Sequence, residues 1–201
     1  MPGILLFYLR IAFSASIWYH LPNKLKGMIG MNMALRSWEL RDAADLADAV
    51  NNRNVQDNLR DGIPFPYTSR DGEDFISSML NAPKDSLYAW AITVDGRAVG
   101  SIGVFRQNNI HRRTAEMGYY VAEPFWGKGV CTFAAREACD SIFRNTDILR
   151  VFADPFDYNA ASCRVLEKAG FRFEGVLRKN AVKNGKVLDM RMYARVKETD
   201  D

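Results

Sequence analysis

Gly127-Lys128-Gly129 separates two runs of apolar residues with different periods. Upstream, Met117 to Val121 has the aromatic and aliphatic content of a strand, and Pro124, with no N–H, stops any ladder beyond it. Downstream, Val130, Phe133, Ala134, Ala138 and Ile142 recur at helical spacing on one face. A glycine turn that opens a helix presents unpaired N–H groups at the positive end of a dipole, which suits a phosphate. On these residues alone, an ordinary strand-to-helix connection with a surface lysine is an equal reading. Three more polar residues stand near such element boundaries. Glu116, by itself, reads as a charge on the solvent side of a strand. Asn159 has the type and place of a helix cap. Ser162, one turn further on, can bond its own helix.

The composition narrows the chemistry. The chain has 201 residues, room for one domain with a sizeable core, and a net charge of +3, too small to point to nucleic acid. Its two histidines, His20 and His111, count against a zinc site or a histidine-based triad. Cys131, Cys139 and Cys163 are odd in number and lack metal spacing, which favours free thiols in a reducing, cytoplasmic setting. No metal is expected.

Residues 1–33 differ from the rest. Ile4 to Leu21 is an apolar run broken by Arg10, at the lower length limit for a membrane span. Neither a charged start nor a small-residue cleavage site marks a signal peptide. The segment is expected to be a leader or poorly ordered extension outside the fold, with membrane association the lesser alternative and residues 34–201 the functional domain.

Within that domain, Trp38 to Leu40 could form a short strand. Asp42 begins a helix with Ala43, Leu46, Ala47 and Val50 on one face. Asp61 to Tyr67 contains two prolines and cannot be helical throughout. Thr68 and Asp71 have the spacing of a capping pair for a helix that reaches Pro83. Tyr88 to Val94 and Arg97 to Phe105 predict a hairpin around Asp95-Gly96. Gln107 to Arg113 is a polar loop, and Thr114 to Val121 the next strand. A helix from Val130 to Phe143, a strand from Leu149 to Ala153, and a helix from Asn159 to Ala169 ended by Gly170 follow. Phe171 to Leu177 and Val187 to Val196 flank Asn184-Gly185, a second hairpin signal. This order predicts an α/β (α+β) fold: one mixed sheet with helices on both faces.

Gly118-Tyr-Tyr-Val121 followed by Trp126-Gly-Lys-Gly-Val130 resembles the acetyl-CoA loop of the GNAT acetyltransferases. Asn159-Ala-Ala-Ser162, with Val165-Leu-Glu-Lys-Ala-Gly-Phe171, is similar to the second motif of the subgroup that contains the ribosomal-protein alanine acetyltransferases (Rim type). Ile63-Pro-Phe-Pro66 and Asp189 also fit that subgroup, and the resemblance spans roughly residues 34 to 197. It implies a mostly antiparallel central sheet that opens beside the strand ending at Val121, through a bulge or break near Ala122 to Pro124. Acetyl-CoA would then lie along Tyr120, Val121 and Ala122, with its pyrophosphate on the N–H groups of Trp126, Gly127, Lys128, Gly129, Val130, Cys131 and Thr132. Asn159 would bond the pantetheine amides. Trp126 stands where the family often has Gln or Arg, and Cys131 where it often has Gly or Ala. The tyrosine acid of many members is excluded, because its slot holds Leu166.

The resemblance further implies N-acetyl transfer to a primary amine, either a protein N-terminus or a small molecule. Glu116 is the expected base, acting through water, and Ser162 the expected aid to the leaving thiolate. An alternative is a non-catalytic acyl-CoA-binding module with the same fold. The partner is an amine-bearing substrate, with no nucleic acid and no membrane, and the chain is expected to be a monomer or homodimer.

Overall fold

A computed structural model describes residues 30–83 and 85–198 of the chain. The expected leader at 1–33 falls almost wholly outside them. The first strand, β1 (Met33–Arg36), begins one residue before the expected domain boundary. Asn32 is already tied to the sheet: its N–H donates to Asp95 Oδ1 at 3.0 Å, and its carbonyl accepts from Asp95 N–H at 2.9 Å.

Trp38 to Leu40 is not a strand. Trp38 is buried, and a single 3-10 turn at Leu40–Asp42 leads into α1 (Ala43–Val50). The reason lies in Asp42, whose buried carboxylate takes two hydrogen bonds from Arg36, at 2.6 and 2.7 Å, and one from the Glu39 N–H at 3.0 Å. This clamp folds the chain back at the point where a strand would run on.

A short helix that the sequence did not reveal, α2 (Arg53–Gln56), is capped by Asn52, whose Oδ1 accepts from Asn54 N–H. Then comes α3 (Ser69–Leu80), opened by the expected Thr68–Asp71 capping box. Trp38, Leu46, Val50, Tyr67 and Ile76 pack with Ala91 and Ala98 into one core. Each fully buried Leu or Ile contributes about 1.5–3 kcal/mol relative to exposure. The helices cross closely at Gly72, where a Cβ would lie 2.7 Å from the Ala43 carbonyl oxygen, so no side chain is tolerated there.

Strands β2 (Leu87–Val94) and β3 (Arg97–Arg106) form the predicted hairpin, with Asp95 and Gly96 both at positive φ. After β4 (Thr114–Val121) and α4 (Val130–Asn145) come β5 (Arg150–Ala153), α5 (Ala160–Lys168), β6 (Arg172–Lys183) and β7 (Lys186–Val196). They join one seven-stranded sheet in the order β1-β2-β3-β4-β5-β7-β6. Only β4 and β5 are parallel. Successive side chains of a strand alternate faces. Tyr120 packs on the α1 and α3 core, while Tyr119 reaches α5 on the other face. Helices therefore cover both sides. Among the described residues, no helix is long and apolar enough to cross a membrane.

Candidate active site

The sheet opens beside β4, by a different route from the expected bulge. The β3–β4 register runs unbroken from Arg106↔Ala115 to Gly100↔Val121, and Ala122 N–H extends it to Val99 O at 2.8 Å. The divergence belongs to β5. It pairs with β4 only at Thr114, Ala115 and Glu116, and the chain after it then follows β7 instead. Arg191 N–H donates to Pro155 O, Asp157 N–H donates to Asp189 O, and Phe156 bridges Met190. Asp189 thus helps draw the segment after β5 away from β4. Its own carboxylate accepts from Lys179 N–H at 2.7 Å.

The alternation of an antiparallel ladder shows which groups line this opening. Gln107 N–H reaches Thr114 O, and Ala122 N–H reaches Val99 O, so even-numbered residues of β4 bond β3. Tyr119 and Val121 turn their N–H and C=O groups toward the gap, and Met117 only its C=O, because its N–H closes the last bridge to β5 at Phe152. Tyr120 and Ala122 bond β3, and the Tyr120 side chain lies in the core. The Val121 carbonyl accepts from the Trp126 indole N–H at 2.9 Å, which leaves the Val121 N–H facing the opening.

At the end of β4 a 3-10 turn (Glu123–Phe125) leads into the glycine loop. Glu123 is held by amide donors from Asn52 and Asn54, at 2.7 and 3.0 Å, which ties the loop to α2. Gly127 and Gly129 have φ of 70° and 83°, and Gly129 caps α4 without any side-chain bond. The first N–H of the helix with a backbone acceptor is Phe133, to Gly129 O. The six preceding N–H groups, from Gly127 to Thr132, have no acceptor among the described residues. Lys128 is exposed, with Nζ 5.5 Å from the centre of the Phe125 ring. Burial pushes the Cys131 thiol up to about 12, so it is not a thiolate nucleophile at neutral pH.

Across the gap, Asn159 caps α5 by accepting from Ser162 N–H at 3.0 Å. Ser162 Oγ lies 2.8 Å from Tyr119 Oη, which also donates to Ser162 O at 3.3 Å. Burial pushes the Tyr119 phenol far up, so it stays protonated. The family tyrosine slot, Leu166, is fully buried.

Glu116 is largely enclosed and ion-paired with Arg60. Arg60 Nη2 lies 3.4 Å from Asp154, the residue after β5. Burial raises the Glu116 carboxyl above the ordinary glutamate value, Arg60 opposes this, and Asp154 adds to it. Burial likewise raises Asp154 against the pull of Arg60. Sequence reasoning missed Tyr119, Arg60 and Asp154; only the doubled tyrosine of Gly118-Tyr-Tyr-Val121 pointed near one of them. Arg60 also lines a small cavity of about 120 Å³ with Arg53, Asp57, Asp61, Lys183 and Asn184. The β6–β7 turn closes it, through Lys183 Nζ to Asp61 at 2.8 Å and Asn184 Nδ2 to Asp57 at 3.2 Å. Among the described residues, no group of three or more His, Cys, Asp or Glu could hold a metal.

A splayed parallel pair, with free N–H groups at the following helix start, is an arrangement suited to an extended ligand ending in phosphates. The Acetyltransferase (GNAT) domain model matches residues 32–172, and the chain belongs to this family of acetyltransferases. It is 35% identical over 120 residues to the "probable N-acetyltransferase YjcK" of Bacillus subtilis (59% of this chain, 66% of the relative). It is also 35% identical over 99 residues to the "uncharacterized N-acetyltransferase YoaA" of the same organism (49% and 55%). These matches span two thirds or less of either relative. Among solved structures, Mycobacterium smegmatis RimJ in complex with CoA-disulfide superposes with a TM-score of 0.74 at 24% identity, covering 82% of this chain and 81% of that one.

Proposed function

We propose that this protein transfers the acetyl group of acetyl-CoA directly to a primary amine, with an α-amino group favoured. The observation that carries this reading is the opening beside β4, which leads to six N–H groups without acceptors, from Gly127 to Thr132. The pantetheine arm, rich in amides, would pair with the gap-facing Val121 N–H and Tyr119 C=O. The pyrophosphate would meet the N–H groups at the start of α4 and the dipole behind them. The Asn159 amide nitrogen has no partner among the described residues and faces no competing role, since capping uses only its oxygen.

In the reaction, the neutral amine nitrogen attacks the thioester carbon and the C–S bond breaks. The gap-facing Tyr119 N–H, closer to Glu116 and on the residue that holds Ser162, would stabilise charge on the carbonyl oxygen. The proton lost from nitrogen passes through one or two waters to Glu116, whose partial burial makes it a better acceptor than a solvated carboxylate. When Tyr119 gives its one hydrogen to Ser162 Oγ, the shorter of its two contacts, rather than to Ser162 O, the serine keeps its own hydrogen for a bond to the leaving sulfur. That thiolate has an ordinary pKa near 8.5 and needs only modest help. An ammonium has no lone pair and must first lose a proton. The cost at pH 7 is about 1 pKa unit for an α-amine, against more than 3 for a lysine side chain.

The test is an acceptor screen with release of free CoA as readout, using short peptides with free N-termini, the same peptides blocked at the N-terminus, and small amines. Turnover that needs a free α-amine supports the reading. Binding of acetyl-CoA without turnover on any amine would make the protein an acyl-CoA-binding module instead.

A further inference from the structure

The Arg60 side chain is 69% exposed, yet its guanidinium reaches inward to Glu116 and Asp154, which are 22% and 15% exposed. One cation is therefore shared by two enclosed carboxylates. A guanidinium seated on a base both stabilises the anion and covers the oxygen that must take a proton. Asp154 is held in place by the segment behind it: Pro155 O accepts from Arg191 N–H, and Phe156 bridges Met190 on β7. It is thus a rigid second seat for Arg60, while Arg60 lies on a loop next to the cavity open to solvent.

We infer that Asp154 is a positioning residue: it draws the Arg60 guanidinium away from Glu116 and so leaves the reacting carboxylate uncovered when the amine arrives. This rests on the reading of Glu116 as base. The charged groups that face Glu116 are Arg60 and Asp154; its partners on β3 and β5, Phe105 and Phe152, carry no charge. The two neighbours act on Glu116 in opposite directions. Arg60 favours its ionised form, and Asp154 disfavours it.

The experiment is a carbon-13 carboxyl NMR titration of the full-length protein, run beside the pH profile of kcat/KM. Arg60→Met should move the Glu116 titration up by about 1 pH unit, and Asp154→Asn should move it down by a similar amount. The double variant should fall between them. The acid limb of kcat/KM should move the same way, and kcat in Asp154→Asn should fall, with recovery when Arg60→Met is added. A Glu116 titration that does not change in Arg60→Met, or that moves the same way in both variants, overturns the inference. Arg60 is exposed, so its variant supplies this test even if Asp154→Asn does not fold. If the titrations move as expected and the kcat/KM limb stays still, the sharing of Arg60 stands and Glu116 is not the base.

Discussion

Tyr119 Oη stands 2.8 Å from Ser162 Oγ, joining β4 to the start of α5 across the opening where the sheet divides. The pair fixes the hydroxyl on a helix that β4 does not otherwise bond. Ser162→Ala removes a hydrogen bond to a developing thiolate. Such bonds to charged groups are worth about 1.5–3 kcal/mol, so kcat should fall by about 10–150-fold with acetyl-CoA affinity kept. Tyr119→Phe removes only the orienting bond, and kcat should fall less. Steady-state kinetics on the pair, with calorimetry for acetyl-CoA, checks this. Equal losses in both variants would make the tyrosine the acid and the serine its support.

Glu116→Gln keeps the size of the side chain and removes the base. General-base help is typically about 10²–10⁴-fold. Turnover should drop by about 10²-fold, acetyl-CoA affinity should stay, and part of the loss should return at high pH, where more amine is already neutral. Wild-type rates on the true acceptor would dismiss Glu116.

Gly129 has a φ of 83°, so any side chain there strains the backbone as well as crowding the phosphates. Gly129→Asn and Gly129→Asp carry nearly the same shape, and Asn tolerates this conformation. The first measures strain, and the second adds a negative charge beside the N–H groups from Gly127 to Thr132. Calorimetry should show acetyl-CoA bound at least about tenfold more weakly by the Asp variant than by the Asn variant. Equal affinities would take the loop out of the phosphate site.

Burial alone would raise the Asp42 carboxyl, but the bonds from Arg36 and from Glu39 N–H outweigh it and hold the group below its ordinary value. Its folded pKa is thus below the unfolded value of about 3.9. The stabilisation is complete above that value and is lost as pH falls through the folded one. Asp42→Asn should cost about 2 kcal/mol at pH 7, or about 5 °C in Tm, and the deficit should shrink toward pH 3. Thermal unfolding from pH 3 to 7 reads it. A deficit that does not change with pH would mean that packing, not charge, holds Asp42.

Among the described residues the sheet runs from Met33 to Val196, with Asn32 bonded to Asp95 at its edge. A chain that starts at Met31 should fold and bind acetyl-CoA as the full chain does. Circular dichroism and calorimetry test this, and unfolding of the shorter chain would bring residues 1–30 into the fold.

The sequence alone was enough for the parts whose causes are local. Asp95-Gly96 and Asn184-Gly185 turn because their positive φ values suit those residues, and Thr68 with Asp71 caps α3 within one turn. Val130 to Ile142 declares a helix by spacing, and the glycine loop with the Asn159–Ser162 segment carries the family resemblance. Tertiary structure decided the rest, because it depends on which strand lies beside which. The opening exists because β5 leaves β4 after three residues and follows β7, a choice made by bonds to Asp189, Met190 and Arg191. Arg60 meets Glu116 and Asp154 over separations of 56 and 94 residues, and Tyr119 meets Ser162 over 43. Exposed arginines and end-of-strand aspartates leave no periodic trace in a sequence. Their pairing is set by strand order, which places the end of β5 opposite the loop that follows α2.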